Sequence, residues 1–304
     1  MKGLVVRVVL AVTRWRWVRW IFTRTRVGRR VSSRFVAGET LAEAIEVAVA
    51  ANRAGMPVSL NLLGENVGDE ASARSSFDSY VEAIGQLRQH GVDGNISVKL
   101  TQLGLGFDVE LCEQLLGDLA LRASAAETTL TIDMEESSLT DATLNIYQRA
   151  QQAHGNLGVA LQAYLRRTPQ DLARIASLGG HIRLCKGAYD EPESIAFRSR
   201  QDVNDAYDAL AETLLADEGL MPALATHDDA RVAAAMTAVD GRSAPYEFQM
   251  LYGIRVSLQE QLVDDGVPVR SYIPYGEAWY PYLTRRMAER PANLWFFVRA
   301  LLGH

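Results

Sequence analysis

From Phe35 onward, short runs of β-branched and apolar residues alternate with stretches whose apolar positions recur every three or four residues. The strand-like runs are 58–63 (VSLNLL), 95–99 (NISVK), 129–133 (TLTID), 158–162 (GVALQ), 181–184 (HIRL), 223–226 (ALAT), 245–249 (PYEFQ) and 269–273 (VRSYI). The intervening stretches carry helical spacing, as in Phe77, Tyr80, Val81, Ile84 and Leu87. Thr40 with Glu43 has capping-box spacing, and Thr168-Pro169 sets a hydroxyl before a first-turn proline. Gly55, Gly91 and Gly266 fall where helices should stop. Eight such units in about 250 residues match a (βα)8 barrel. A doubly wound sheet is the rival. No strand is followed by G-x-G-x-x-G, however, and Gly104 and Gly106 lack both the third glycine and a preceding strand. The reading is one barrel domain over 35–304, preceded by an arm over 1–34.

In a barrel, reactive groups gather at the carboxyl ends of the strands. Those ends carry Lys99, Asp133 with Glu135 and Glu136, Gln162, Arg183 with Lys186, His227 with Asp228, Gln249, and Tyr272. A single charged residue after a strand is usually just solvated; their concentration at one rim is the signal.

Charge sharpens this picture. The 304 residues carry a formal net charge of −6, yet residues 1–34 hold ten basic side chains and no acid. The rest has 21 basic against 37 acidic groups. Such a body repels phosphates, which disfavours a nucleic-acid partner. Two cysteines and five scattered histidines offer no framework for a disulfide scaffold or an all-protein metal site, so no metal is expected. Only Lys2, Lys99 and Lys186 are lysines among the 31 basic residues, and two of them end strands. A compact ammonium differs in reach and pKa from a guanidinium, which gives these positions a reason to keep it.

In the arm, the longest uncharged run is Val8 to Thr13. That is far short of the roughly 20 apolar residues a membrane span needs. Arginines interleaved with Trp15, Trp17 and Trp20 suit a membrane interface, with indoles at headgroup depth and cations against anionic lipid. A basic helix folded onto the acidic body accounts for the same residues.

The segment after the eighth strand holds the most chemistry. Positions 282, 285, 286 and 289 share a helix face, which carries a phenol, two guanidiniums and a carboxylate. Paired arginines can clamp a carboxylate; Arg285 and Glu289 can equally form a surface ion pair. The aromatics Tyr272, Tyr275, Trp279, Tyr280 and Tyr282 could wall a small apolar ring.

Taken together, these motifs resemble the proline dehydrogenase family. Tyr282-x-x-Arg285-Arg286-x-x-Glu289 is similar to its Tyr-x-x-Arg-Arg-x-x-Glu signature. Arg183-Leu-Cys-Lys186-Gly187-Ala188-Tyr189 resembles its strand-five motif, Ala225-Thr226-His227 its Ala-Thr-His segment, and Phe248-Gln249-x-Leu251-x-Gly253 its strand seven. Arg34 to Thr40, Leu63-Gly-Glu65, Val98-Lys99 and Asp133-x-Glu135-Glu136 match in the same order, so the likeness runs from about residue 34 to 298.

The resemblance implies a distorted (βα)8 TIM-like barrel with its last helix over the barrel mouth. It implies FAD-dependent oxidation of L-proline to Δ1-pyrroline-5-carboxylate, with electrons passed to a membrane quinone. FAD would contact Asp133, Met134, Gln162, Arg183, Lys186, Gly187, Ala188, Tyr189, Thr226, His227, Gln249 and Leu251. Substrate would meet Lys99, Leu251, Tyr272, Tyr282, Arg285 and Arg286. Lys99 and Glu289 would ion-pair in the closed site; with Asp133, Arg183, Tyr272 and Tyr282 they make up the implied catalytic set. Asp190 departs from members with an aromatic there against the adenine. The expected protein is monofunctional and cytoplasmic, peripheral on the inner face of the cytoplasmic membrane. A separate pyrroline-5-carboxylate dehydrogenase would take its product. The competing readings are oxidation of a related cyclic or N-alkyl amino acid, and a non-catalytic, membrane-peripheral barrel.

Overall fold

The computed structural model describes residues 33–289, with side chains through Thr284. Residues 1–32 of the 1–34 arm and the side chains of Arg285, Arg286 and Glu289 therefore lie outside the described residues.

Eight parallel strands close into a barrel in chain order, β1 (Val58–Leu62), β2 (Gly94–Val98), β3 (Leu130–Ile132), β4 (Leu157–Gln162), β5 (Gly180–Cys185), β6 (Leu220–Ala225), β7 (Glu247–Leu251) and β8 (Val269–Tyr275). Closure comes from β1 against β8, with Val58 opposite Ser271 and Leu62 opposite Tyr275. A first helix, α1 (Leu41–Arg53), precedes the barrel. The crossovers are α2 (Glu70–Gln89), α3 (Val109–Ala125), α4 (Thr140–His154), α5 (Thr168–Ile175), α6 (Arg200–Ala216), α7 (Asp229–Ala238) and α8 (Val256–Asp264). Helix α9 (Trp279–Glu289) follows β8. No helix among the described residues is long and apolar enough to cross a membrane.

The local signals act as their chemistry dictates. Thr40 and Glu43 form a reciprocal capping box on α1. Gly55, Gly91 and Gly266 take φ of +80°, +60° and +76° just past α1, α2 and α8, a backbone that costs glycine little. Thr168 is a correction. Its hydroxyl does not cap α5 but donates to the Gln162 carbonyl at 2.6 Å, tying the helix start to the end of β4. Two strands also shift. β6 begins at Leu220, ahead of the expected 223, and takes Pro222 inside it opposite Ile182. β7 begins at Glu247, not Pro245, since the ladder to β6 and β8 starts only there.

Alternate strand positions divide the molecule into two environments. One set, including Leu60, Ile96, Ile132, Val159, Ile182, Leu224, Phe248 and Ile273, packs outward against helix residues such as Ile45, Tyr80, Leu115, Tyr147 and Tyr207. The other set faces the barrel axis and is largely polar. Its cross-barrel bonds fix that direction: Ser59 meets Ser97, and Arg183 on β5 reaches Ser59 on β1 at 3.2 Å. A smaller apolar cluster sits apart at the mouth, where Phe35 and Val36 pack with Leu63 against Trp279, Tyr280, Tyr282 and Leu283 of α9. Trp279 Nε1 donates to Glu39 Oε1 at 2.8 Å, so the strap before α1 and the final helix hold each other.

Candidate active site

A cavity of about 490 Å³ opens at the carboxyl ends of the strands, within the usual range for ligand pockets. Every residue that the family resemblance places in the site, and whose side chain is described, lines it; of the aromatics that could wall a ring, Tyr272 and Tyr282 do, while Tyr275, Trp279 and Tyr280 pack in apolar clusters instead. Lys99, Asp133 and Met134 enter from β2 and β3, and Gln162 from β4. Arg183 and the turn Lys186–Tyr189 follow β5. Thr226, His227, Gln249, Leu251 and Tyr272 come from β6, β7 and β8, and Tyr282 from α9.

Asp133 is the electrostatic centre. Its Oδ2 accepts from Lys99 Nζ at 2.6 Å and from the Tyr272 hydroxyl at 2.7 Å; its Oδ1 accepts from Arg183 at 2.5 Å. Burial by itself would raise the Asp133 pKa, but the Lys99 and Arg183 charges outweigh it and the net shift is downward. For Lys99, burial favours the neutral amine, and Asp133 reverses that, so the ammonium persists. Among the described residues Lys99 is held by Asp133 and by Asn61 Oδ1, at 3.3 Å; its expected pairing with Glu289 falls on a side chain outside them. The Arg183 guanidinium also lies 5.0 Å from the Tyr272 ring centroid, and its Nε donates to Gln249 Oε1 at 2.5 Å. All five donors of an arginine need acceptors when buried, and Arg183 is 5% exposed.

The rim after β5 is a second constellation. Lys186 Nζ donates to Asp228 at 2.9 Å and to Asn204 at 2.6 Å. His227 Nε2 accepts from the Leu251 backbone N–H at 3.0 Å, which leaves the ring proton on Nδ1. Gln162 directs Nε2 to the Met134 and Glu135 carbonyls, while its buried Oε1 has no hydrogen-bond partner among the described residues.

Sequence reasoning missed several lining residues. Asn61 was legible as an alternate polar position of the first strand. Arg200, at the start of α6, carried no local signal. Glu135 lies behind the site, accepting from the Thr101 amide and hydroxyl at 3.1 and 2.5 Å; burial raises its pKa against that bonding.

These features suit a large planar cofactor with a hydrogen-bonding edge and an anionic tail. The unsatisfied Gln162 oxygen can accept from a ring N–H, and Lys186 can face phosphate. Gly187, at φ +105°, brings backbone to the cavity wall where no side chain fits. Asp190 offers no aromatic face: its side chain is 95% exposed and pairs with Arg198 at 2.9 Å. No group of three or more His, Cys, Asp or Glu among the described residues could hold a metal ion.

In a closed (βα)8 barrel, charged and aromatic groups converging on the carboxyl-end mouth stand where barrel enzymes carry their active sites. The proline dehydrogenase family model matches residues 44–299. This chain belongs to the proline dehydrogenase family. It is 36% identical over 281 residues to proline dehydrogenase 1 of Bacillus subtilis, covering 91% of this chain and 92% of that protein. To the proline dehydrogenase of Deinococcus radiodurans it is 37% identical over 282 residues, covering 90% of each. Among solved structures, the fold is similar to that of proline utilization A from Bdellovibrio bacteriovorus, with a TM-score of 0.80 and 24% identity. The match covers 86% of this chain and 33% of that larger one.

Proposed function

We propose that this chain oxidises L-proline to Δ1-pyrroline-5-carboxylate, with bound FAD supplying the two-electron acceptor. The observation that carries this reading is the convergence of Lys99, Asp133, Arg183, Tyr272 and Tyr282 on one cavity, in a chain of this family. Arg183, Lys186 and Gln162 would hold the cofactor. Arg183 also supplies fixed positive charge that favours an electron-rich reduced ring. Tyr272 and Tyr282 would flank the pyrrolidine ring, with Leu251 completing the apolar wall. Positions 285 and 286 follow Tyr282 by three and four residues on α9, and Arg285 and Arg286 would clamp the substrate carboxylate. Clamping fixes orientation, and water exclusion by α9 strengthens each charge–charge contact.

Oxidation removes a hydride from the ring carbon beside nitrogen and a proton from the amine. Asp133 is occupied by three donors and His227 Nε2 by the Leu251 amide. This supports loss of the amine proton to solvent.

The electrons would pass to a membrane quinone. The basic, tryptophan-rich residues 1–34 would bring the 35–304 catalytic domain to the inner face of the cytoplasmic membrane, and a separate pyrroline-5-carboxylate dehydrogenase would consume the product. Phe35 and Val36, packed on α9, support an arm that leaves the body beside the cavity mouth.

Purified protein should be yellow and bleach anaerobically on adding proline. Colourless protein unable to take up FAD would refute the reading. Steady-state comparison of proline with hydroxyproline, pipecolate and sarcosine tests the substrate, and proline should give the highest kcat/KM. Flotation on anionic liposomes by the full chain, lost in a chain beginning at Ser33, tests the arm.

A further inference from the structure

Below the cavity the barrel interior continues as a buried polar column that the chemistry at the mouth does not by itself require. We propose that Glu247 is a positioning residue: it fixes the amide orientation of Gln249 and, through it, the guanidinium of Arg183. The proposal deepens the functional reading above, on which the role of Arg183 rests.

The argument follows from donor and acceptor capacity. Arg183 has only donors, so the Gln249 group facing its Nε must be the carbonyl oxygen, and it stands at 2.5 Å. The Gln249 amine then points down the barrel, where it donates to Glu247 Oε1 at 2.6 Å. An ionised carboxylate has only acceptors, so this contact admits one amide orientation. A donor above and an acceptor below thus lock Gln249. Were the amide reversed, its amine would face the Arg183 Nε–H and its oxygen would face a carboxylate, two repulsive contacts in a buried site. Glu247, Gln249 and Arg183 are 4%, 3% and 5% exposed, so water cannot substitute for a lost partner.

Glu247 is itself held from below. Arg270 Nε reaches its two oxygens at 2.8 and 3.0 Å, and Arg270 is anchored to the neighbouring β1 by the Val58 carbonyl at 2.9 Å. His181 Nε2 lies 3.2 Å from Glu247 Oε1, with Nδ1 against the Thr131 hydroxyl at 3.3 Å. The register explains the stacking. Residues 247 and 249 are consecutive inward positions of β7, as 181 and 183 are of β5, and 270 and 272 of β8. A cation and an imidazole in the lower layer therefore fix an anion, the anion fixes an amide, and the amide fixes the cation of the upper layer.

The test uses the full chain and four variants. In Glu247→Gln the residue below Gln249 can present either an oxygen or an amine, so only Arg183 still specifies the amide and the charged clamp from below is lost. Glu247→Asp keeps a carboxylate. Arg270→Gln removes a charge but leaves the anion, and the double variant Glu247→Gln/Arg270→Gln guards against misfolding from an unpaired Arg270. The first readout needs no cofactor: the Nε–H proton resonance of Arg183, assigned by its loss in Arg183→Lys, and its exchange rate with solvent. The second is the flavin midpoint potential, and the third the split of kcat from KM for proline.

We expect Glu247→Gln and the double variant to shift that resonance, speed its exchange and lower kcat by about tenfold or more, with KM little changed. Glu247→Asp and Arg270→Gln should restore or retain the resonance. An unchanged resonance and unchanged potential in folded Glu247→Gln would overturn the proposal. Wild-type protein that takes up no FAD would overturn the functional reading instead, and the resonance would still decide the positioning claim.

Discussion

Gly187 and the ring of Tyr164 occupy adjoining space: a β-carbon at position 187 would stand 2.1 Å from Tyr164 Cδ1. The backbone there is at φ +105°, which adds strain of about 1–3 kcal/mol for any other residue. Gly187→Ala should therefore displace the turn that carries Lys186 and Tyr189 while the barrel still folds. Visible absorbance per mole of protein should fall at least about tenfold with near-native circular dichroism. Gly85 is the contrast: it is an exposed position inside α2, where an added β-carbon would meet nothing within 4 Å. Gly85→Ala should stabilise by about 0.5–1 kcal/mol in urea unfolding.

Asp133 holds two buried cations, and removing it leaves both without their anion. Asp133→Asn should destabilise the chain by about 3–5 kcal/mol, the usual cost of orphaning a buried charge. Lys99→Met should cost less, because Asp133 keeps Arg183 and Tyr272. Urea midpoints at neutral pH check the order; equal or reversed losses would mean the carboxylate is not the keystone.

Glu247 gives a pH signature. Burial would raise its pKa, but the His181 hydrogen bond and Arg270 bring it down to about 2, from an ordinary 4.5. A carboxylate whose folded pKa is depressed contributes stability that is full above its unfolded pKa. That contribution is lost as pH falls through the folded value. The window is thus about pH 4.5 down to about 2, with at most on the order of 3 kcal/mol at stake. The stability gap between wild type and Glu247→Gln should be constant above pH 5 and close as pH falls through that window. A gap that stays constant to about pH 2.5 would disprove the assignment.

Neither cysteine should behave as a reactive thiol. Burial pushes Cys112 up to about 12 and Cys185, despite its place on the cavity wall, up to about 11. Both are thiols at neutral pH, and the thiolate is the nucleophile. Alkylation by iodoacetamide at about pH 7.5 should be at least about tenfold slower than for a free cysteine and become fast on unfolding. Rapid labelling of Cys185 in the native protein would contradict this.

Much of the site was legible in the chain because a barrel strand ends at a known place and side chains alternate. All eight strands lie within a few residues of where the pattern puts them; Lys99 and Asp133 directly follow β2 and β3, while Arg183 and Tyr272 lie inside β5 and β8 and point into the barrel. What misled the reading was local. The run 223–226 is only the last part of β6, which starts at Leu220 and includes Pro222. The Thr168 hydroxyl looks like a cap, yet the nearby Gln162 carbonyl is its acceptor. That Lys99 also meets Asp133 depends on distances between strands, which no spacing along the chain encodes.

By itself the sequence determined the order of strands and helices, the helix stops, the family and the set of polar residues that could do chemistry. Those follow from periodicity, backbone preference and motif, all of which are local in the chain. Only the closed barrel decided that Asp133 sits between Lys99, Arg183 and Tyr272, the last of them 139 positions from Asp133 along the chain. It also decided that Glu247 underlies Gln249 and Arg183, and that the strap at Phe35 braces α9. Closure brings distant strands within hydrogen-bonding reach in a space without water, and there each donor's choice of acceptor becomes energetically decisive.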